Sequence, residues 1–229
     1  MKNVNKLNTN KVSGLCKSVW ENINVHGMNL DVNLVKCQKY LFPDSAGKKL
    51  LYIGFGEGQN LIYLAKEGFD VYGTEIAENR FSEAKKRLKK HKIRADLRLV
   101  ESNLLPFKDD YFDVVIGWQS LYYNNKETLT GALSEINRVL KPGGKFLSSM
   151  ISPKQTLLCN KEIAPSVYHP AKETGQSNCI VFCFKTKEQI NRIYKEFVNI
   201  RIGFYSSYLF RSHNFHYVIA CEKPKKNKE

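Results

Sequence analysis

Apolar positions in this chain come in short runs that alternate with amphipathic stretches, and the alternation predicts strand followed by helix along most of its length. Residues 50–53 are an apolar run bounded by a glycine, the pattern of a buried strand. Residues 60–67 carry Leu61, Leu64 and Ala65 at helical spacing and stop at Gly68. A second strand, 69–74, ends on Glu75, and a helix over 78–91 sets Phe81, Ala84 and Leu88 on one face against lysines on the other. Strands follow at 95–100 and 112–117, a helix at 126–139, the breaker Lys141-Pro142-Gly143-Gly144, and a strand at 145–150. Further on, 180–184 reads as a short strand and 186–197 as a helix with Thr186 as N-cap. Strands at 198–205 and 215–221, joined through 206–214, allow an antiparallel hairpin. Such alternation argues a doubly wound, mostly parallel seven-stranded α/β sheet, in three α/β/α layers with the last strand antiparallel.

Two stretches stand outside the alternation. Residues 13–28 hold Trp20 and His26 without a clear period, and with a helix over 30–42 they form an N-terminal cap, 13–47. Residues 152–177 read as a long irregular loop with Pro153, Pro165, Pro170 and Gly175, and a loop of that length in a compact domain is functional or mobile. Residues 1–12 are expected to be a disordered tail, 13–222 a single domain, and 223–229 a basic tail.

Composition narrows the class. The 229 residues are 42% hydrophobic, enough for one domain with a substantial core. No apolar run approaches the ~20 residues of a membrane span. The polar N-terminus lacks an apolar signal core, so the expected place is the cytoplasm, with no membrane partner. Six cysteines show no C-x-x-C pair and read as free thiols, Cys179 and Cys183 as core filling, and no metal site is expected. The net charge of +14 comes partly from basic runs at 85–94 and 223–228. Neither run is interleaved with the aromatics that stack on bases, so they read as a solvated helix face and a tail, with nucleic acid as the alternative partner.

The chemistry-bearing stretch is 50–77. Gly54, Gly56 and Gly58 at alternate positions let the backbone turn sharply and present bare peptide groups to a ligand, and Glu75 follows about 20 residues on. Dinucleotide sites use the same logic, but their pattern wants Gly or Ala where this chain has Gln59. The G-x-G-x-G loop resembles that of class I S-adenosylmethionine-dependent methyltransferases. The likeness extends over about 48–150, through Glu75-Ile76, Glu101-Ser102-Asn103, Phe112-Asp113-Val114-Val115 and Arg138-Val139-Leu140-Lys141-Pro142-Gly143-Gly144. It implies strand order 3-2-1-4-5-7-6, with S-adenosyl-L-methionine as cofactor and S-adenosyl-L-homocysteine as product. Ile53, Gly54, Phe55, Gly56 and Gly58 would wrap the methionine part, Glu75 would take both ribose hydroxyls and Ile76 would pack on adenine. Glu101, Ser102 and Asn103 would lie beside the adenine, with Trp118 completing the cofactor side. Three positions depart from the family pattern. Tyr52 stands where relatives carry an acid that helps hold the cofactor's ammonium end, Glu101 where Asp is commoner, and Leu121-Tyr122-Tyr123 where many small-molecule relatives have a His.

Methyl transfer from a sulfonium is an in-line displacement of an already activated group, so the protein mainly aligns the acceptor and excludes water. Trp118, Gln119, Tyr122 and Tyr123, just beyond the fourth strand, are placed to line the acceptor site with Trp20, Tyr168, Arg201 and Arg211. One of His26, His169 or His213 is the expected base for a hydroxyl acceptor. The expected substrate is a small, anionic metabolite methylated on oxygen, such as an activated surface-glycan precursor. Neither the N/D-P-P-Y motif of amino-methylating enzymes nor a Pro-Cys nucleophile follows the fourth strand. A nucleic-acid methyltransferase and a non-catalytic cofactor-binding module remain the alternatives, and the assembly is a monomer or homodimer.

Overall fold

The structure is a computed structural model that describes Lys17 and residues 30–100, 104–155, 161–171, 176, 178–209 and 212–226. In chain order the elements are α1 (Val32–Leu41), β1 (Lys49–Ile53), α2 (Gln59–Lys66), β2 (Asp70–Glu75), α3 (Glu78–Lys90), β3 (Asp96–Leu99) and β4 (Phe112–Gly117). They continue with α4 (Lys126–Val139), β5 (Leu140–Ile151), β6 (Lys161–Ala164), β7 (Val167–His169), β8 (Val181–Phe182), α5 (Lys187–Ile193), β9 (Val198–Leu209) and β10 (Ser212–Glu222).

The main sheet has seven strands in the order β3-β2-β1-β4-β5-β10-β9. β1 pairs in parallel with β2 and β4, and β4 with β5, while β10 runs antiparallel to both neighbours. The expected order and class are thus observed. Strand alternation explains the three layers. Leu50, Tyr52, Val114 and Ile116 point into one apolar cluster with Leu34, Leu61, Leu64 and Leu88 from α1, α2 and α3. Leu51, Val115 and Phe146 point into the other, with Leu133 and Ile136 of α4 and Ile190 of α5.

Local chemistry sets the helix starts. Asp31 caps α1, its carboxylate accepting from the backbone amides of Asn33 (2.8 Å) and Leu34 (3.3 Å). Asn125 and Thr128 form a reciprocal capping box on α4. Thr186 caps α5 as expected, through the Gln189 amide.

Three expectations need correction. The segment expected as an irregular loop carries β6 and β7, which with β8 make a second, antiparallel sheet. It is anchored by the Phe182 amide donating to Tyr122 O (2.7 Å) and the Phe184 amide to Ile151 O (3.2 Å). Cys179 and Cys183 flank β8 and are fully buried, so they fill core. The final hairpin is longer than predicted, pairing Ser212 with Leu209 across its tip. The basic tail is partly docked: Lys223 Nζ lies 2.7 Å and Lys226 Nζ 3.1 Å from the Asp110 carboxylate. These two lysines hold the Asp110 carboxyl below the usual carboxylate range. The basic run at 85–94 lies mostly on α3 as a solvated face, with Arg87 paired to Glu57 and Glu83. Apart from Lys17, the stretch 13–28 lies outside the described residues. Among those described, no helix is long and apolar enough to cross a membrane.

Candidate cofactor and acceptor site

The carboxyl ends of β1, β2 and β4 converge on the glycine loop. Gly54 leaves β1 at φ +69° and donates its amide to Thr74 O of β2 at 2.8 Å. A Cβ on Gly54 would stand 2.6 Å from Ser120 Cβ, and Ser120 Oγ in turn donates to Ile53 O at 2.8 Å. The loop is therefore clamped between β2 and the segment after β4. Gly58, at φ +87°, caps α2 with no side chain, and a Cβ there would meet Ala84 and Leu88 of α3 at 3.1 Å. The third glycine thus serves helix packing as well as the turn. Phe55, expected beside the cofactor, has its ring buried in the core against Gly73 and 6.3 Å from the Phe81 ring.

Glu75 ends β2 almost completely buried. Its Oε2 accepts the Gly56 amide at 2.8 Å, and its Oε1 accepts the amides of Ile76 (2.8 Å) and Ala77 (3.1 Å). A carboxylate has about four acceptor positions, so three backbone donors fix its orientation and one is left for a ligand hydroxyl. A bare-backbone loop next to an oriented carboxylate suits a ligand that carries an amino-acid end and a ribose, and S-adenosylmethionine fits both features.

The acceptor side is assembled differently. Trp118, Tyr205 and His216 stack in series, Trp118 on Tyr205 at 5.7 Å and Tyr205 on His216 at 5.0 Å, with Tyr122 tilted against His216 at 5.9 Å. His216 pairs across the sheet with Ile151, the last residue of β5, so the stack stands at the carboxyl edge. Asp31 ties it together: its Oδ2 accepts from Trp118 Nε1 (2.9 Å) and Gln119 Nε2 (3.1 Å), and Gln119 Nε2 also donates to the Tyr205 hydroxyl (3.1 Å). The Asp31 amide donates to Asn60 Oδ1 (3.2 Å), and Asn60 Nδ2 donates to the Tyr52 hydroxyl (2.9 Å).

Burial sets the charge states. Desolvation lowers the His216 pKa to about 4 against an opposing pull from Asp31, so the ring is uncharged at neutral pH, and its Nδ1 is buried without a hydrogen-bond partner. Burial likewise pushes the phenols of Tyr52, Tyr122 and Tyr205 up, so all three stay protonated.

Of the expected acceptor residues, the structure brings Trp118, also expected on the cofactor side, Gln119 and Tyr122 into this cluster. Tyr123 adjoins through the Tyr122 ring at 4.6 Å and donates its hydroxyl to Gln176 at 3.0 Å. Tyr168 is buried in the second sheet, and His169 has Nδ1 2.8 Å from the Cys179 carbonyl. Arg201 does not join the cluster. It lies exposed on the outer strand, 5.6 Å over the Tyr40 ring, opposite Ala220, whose own partner on β5 is Leu147. Trp20, His26, Glu101, Ser102, Asn103 and Arg211 lie outside the described residues, as does the His213 side chain. Asp31, Asn60, Ser120, Tyr205 and His216 were not anticipated. Asp31 alone carried a readable signal, a capping residue type at the start of the helix expected over 30–42, which begins at Val32.

Comparison with known proteins adds the following. Residues 50–144 match a family described as "Methyltransferase domain". A ubiquinone/menaquinone biosynthesis C-methyltransferase of Cupriavidus metallidurans is 33% identical over 104 residues, covering 44% of this chain and 42% of that protein. A mitochondrial arginine-hydroxylase of Danio rerio is 31% identical over 117 residues, covering 50% of this chain and 35% of its own. The chain spans about half the length, or less, of the curated relatives it matches. Among solved structures, a SAM-dependent methyltransferase from Methanosarcina mazei superposes with a TM-score of 0.69 at 18% identity, covering 87% of this chain and all of that one. A phosphoethanolamine N-methyltransferase of Haemonchus contortus in complex with S-adenosyl-L-methionine gives 0.66 at 21% identity over 95% of this chain and 58% of its own.

Proposed function

We propose that the chain, whose residues 50–144 match a methyltransferase-domain family and whose fold is that of a SAM-dependent methyltransferase, transfers a methyl group from S-adenosylmethionine to a small acceptor bound against the aromatic stack. The carrying observation is the glycine loop joined to Glu75 through the Gly56 amide, with the Trp118–Tyr205–His216 stack across from it. S-adenosylmethionine supplies an activated methyl when bound. The chain's own residues do the rest. The loop holds the amino-acid end, Glu75 holds the ribose, and the stacked rings orient a planar or apolar acceptor and keep water out. Transfer forms the acceptor–carbon bond, breaks the sulfur–carbon bond and leaves the acceptor's proton to be taken. His216, uncharged, has an unpartnered Nδ1 with which to receive a hydroxyl proton, and this supports oxygen as the acceptor atom.

The finer reading is an anionic acceptor, with an activated glycan precursor as an example. The net charge of +14 supports it. Within the described cluster the charged side chain is Asp31, so an anion would find its cationic partners at Arg201 or beyond the described residues.

The test incubates the protein with methyl-labelled S-adenosylmethionine and, separately, a small-metabolite extract and total RNA. Label recovered in small molecules, with S-adenosylhomocysteine formed in equal amount, is the expected result. Label in RNA favours the nucleic-acid alternative, and cofactor binding without label transfer to either pool favours the non-catalytic one.

A further inference from the structure

Asp31 is a half-buried carboxylate whose recorded donors are all neutral and which has no counter-ion among the described residues. Its oxygens accept from two backbone amides, the Trp118 indole and the Gln119 amide. Among the described residues no lysine, arginine or histidine pairs with it. The basic side chain that feels its field, His216, is kept uncharged by burial. The same carboxylate acts on Cys37, Tyr52, Tyr122 and Tyr205, all of them neutral. A partly desolvated charge held by dipoles alone is poised for a cation from outside the chain.

Its position says which cation. Asp31 is linked through Asn60 to the Tyr52 hydroxyl, and through Trp118 and Gln119 to the end of β4. It therefore sits on the flank of the glycine loop opposite Glu75. Tyr52 points into the core with 2% exposure and cannot carry a negative charge there. If the ribose lies at Glu75, the other end of the cofactor, with its ammonium, falls on the Asp31 side of the loop.

We propose that Asp31 supplies the counter-charge for the α-ammonium of S-adenosylmethionine, a carboxylate carried on the cap of α1 standing in for one on β1. Asn60 and the Tyr52 hydroxyl act as the strut that joins the two positions. The inference rests on the cofactor assignment of the glycine loop, and a cationic acceptor amine is the competing occupant.

Calorimetry on the full chain separates these outcomes with two ligands, S-adenosylhomocysteine and its deamino analogue, which keeps the carboxylate and lacks the ammonium. Asp31→Asn keeps a capping oxygen and removes the charge. The expected result is that it weakens S-adenosylhomocysteine about tenfold or more, as loss of an opposite charge a few ångströms from the ammonium does, while the deamino analogue changes less than about twofold. Asp31→Ser, which also keeps a cap and sets Trp118 free, is the second variant should the first fail to fold, and it should give the same split. Equal weakening of both ligands assigns Asp31 to loop structure and overturns the proposal. Unchanged affinity for both overturns it in favour of an acceptor cation. Failure of the unaltered protein to bind either ligand removes the cofactor assignment itself, and the proposal with it.

Discussion

The two halves of the site are built from different materials. The cofactor half is made of main-chain groups, turned by Gly54, Gly56 and Gly58 and oriented by one carboxylate whose partners are backbone amides. The acceptor half is made of side chains from Asp31, Trp118, Gln119, Tyr122, Tyr205 and His216, brought from opposite ends of the chain. Backbone sites tolerate sequence drift everywhere except at positions that fix φ, whereas a side-chain site can be rebuilt without touching the loop.

The difference can be broken most severely at Gly54. An alanine there is strained at φ +69° by about 1–2 kcal/mol, and its Cβ collides with Ser120 at 2.6 Å. We expect Gly54→Ala to lower the melting temperature and to weaken S-adenosylhomocysteine binding on the order of 100-fold, the cost of misplacing reacting groups by about 1 Å. Calorimetry checks it, and affinity within about twofold of the parent would defeat the clamped-loop geometry.

His216 breaks the other half. Its pKa falls from an ordinary 6.5 to about 4 in the fold, so the unfolded chain binds the proton first as pH drops. The stability from keeping the ring neutral is complete above about 6.5 and is lost as pH falls to about 4, a difference of about 3 kcal/mol. Urea unfolding from pH 7 to pH 4 should show that loss in the parent and a smaller one in His216→Phe. The same variant should leave S-adenosylhomocysteine affinity unchanged, and a parallel fall in affinity would join the halves into one unit.

Glu75→Gln is a gentler probe of the cofactor half. Loss of a charged acceptor for the ribose should cost about 2 kcal/mol of binding. An unchanged calorimetric affinity in a folded variant would remove Glu75 from the ribose role. Arg201→Lys, exposed on the outer strand, should change stability by less than about 0.5 kcal/mol. Once an acceptor is in hand, a rise in its KM in this variant would extend the acceptor half to that edge and support an anion.

The contrast also explains what could be read beforehand. Gly54, Gly56, Gly58 and Glu75 lie within one strand–turn–helix–strand unit, where spacing in sequence is spacing in space. The fold class followed from the same regular alternation, and the sheet order from the resemblance to class I methyltransferases. Tyr205 and His216 were invisible because their meaning depends on the register of β10 against β5 and β9, which puts them side by side at the carboxyl edge. The placements of His169, against the Cys179 carbonyl, and of Arg201, on the outer strand, were hidden for the same reason, since residue type alone says nothing about which end of a strand a side chain reaches. The β6–β7 hairpin was missed because Pro165 and Pro170 read as breakers, although they bracket β7 rather than interrupt it.

The interleaving of β10 between β5 and β9 has a consequence for biosynthesis. As the chain leaves the ribosome, β1 to β5 and the glycine loop emerge with every sheet neighbour they need except β10. β9 follows with no partner, because the strand that bridges it to the sheet has not yet been made. Tyr205 and His216 meet once β10 pairs with β9, but they reach Trp118 and Tyr122 only when the final hairpin closes onto β5. A nascent or shortened chain would present the glycine loop open on the side of Trp118, and closure of the hairpin completes the aromatic wall there.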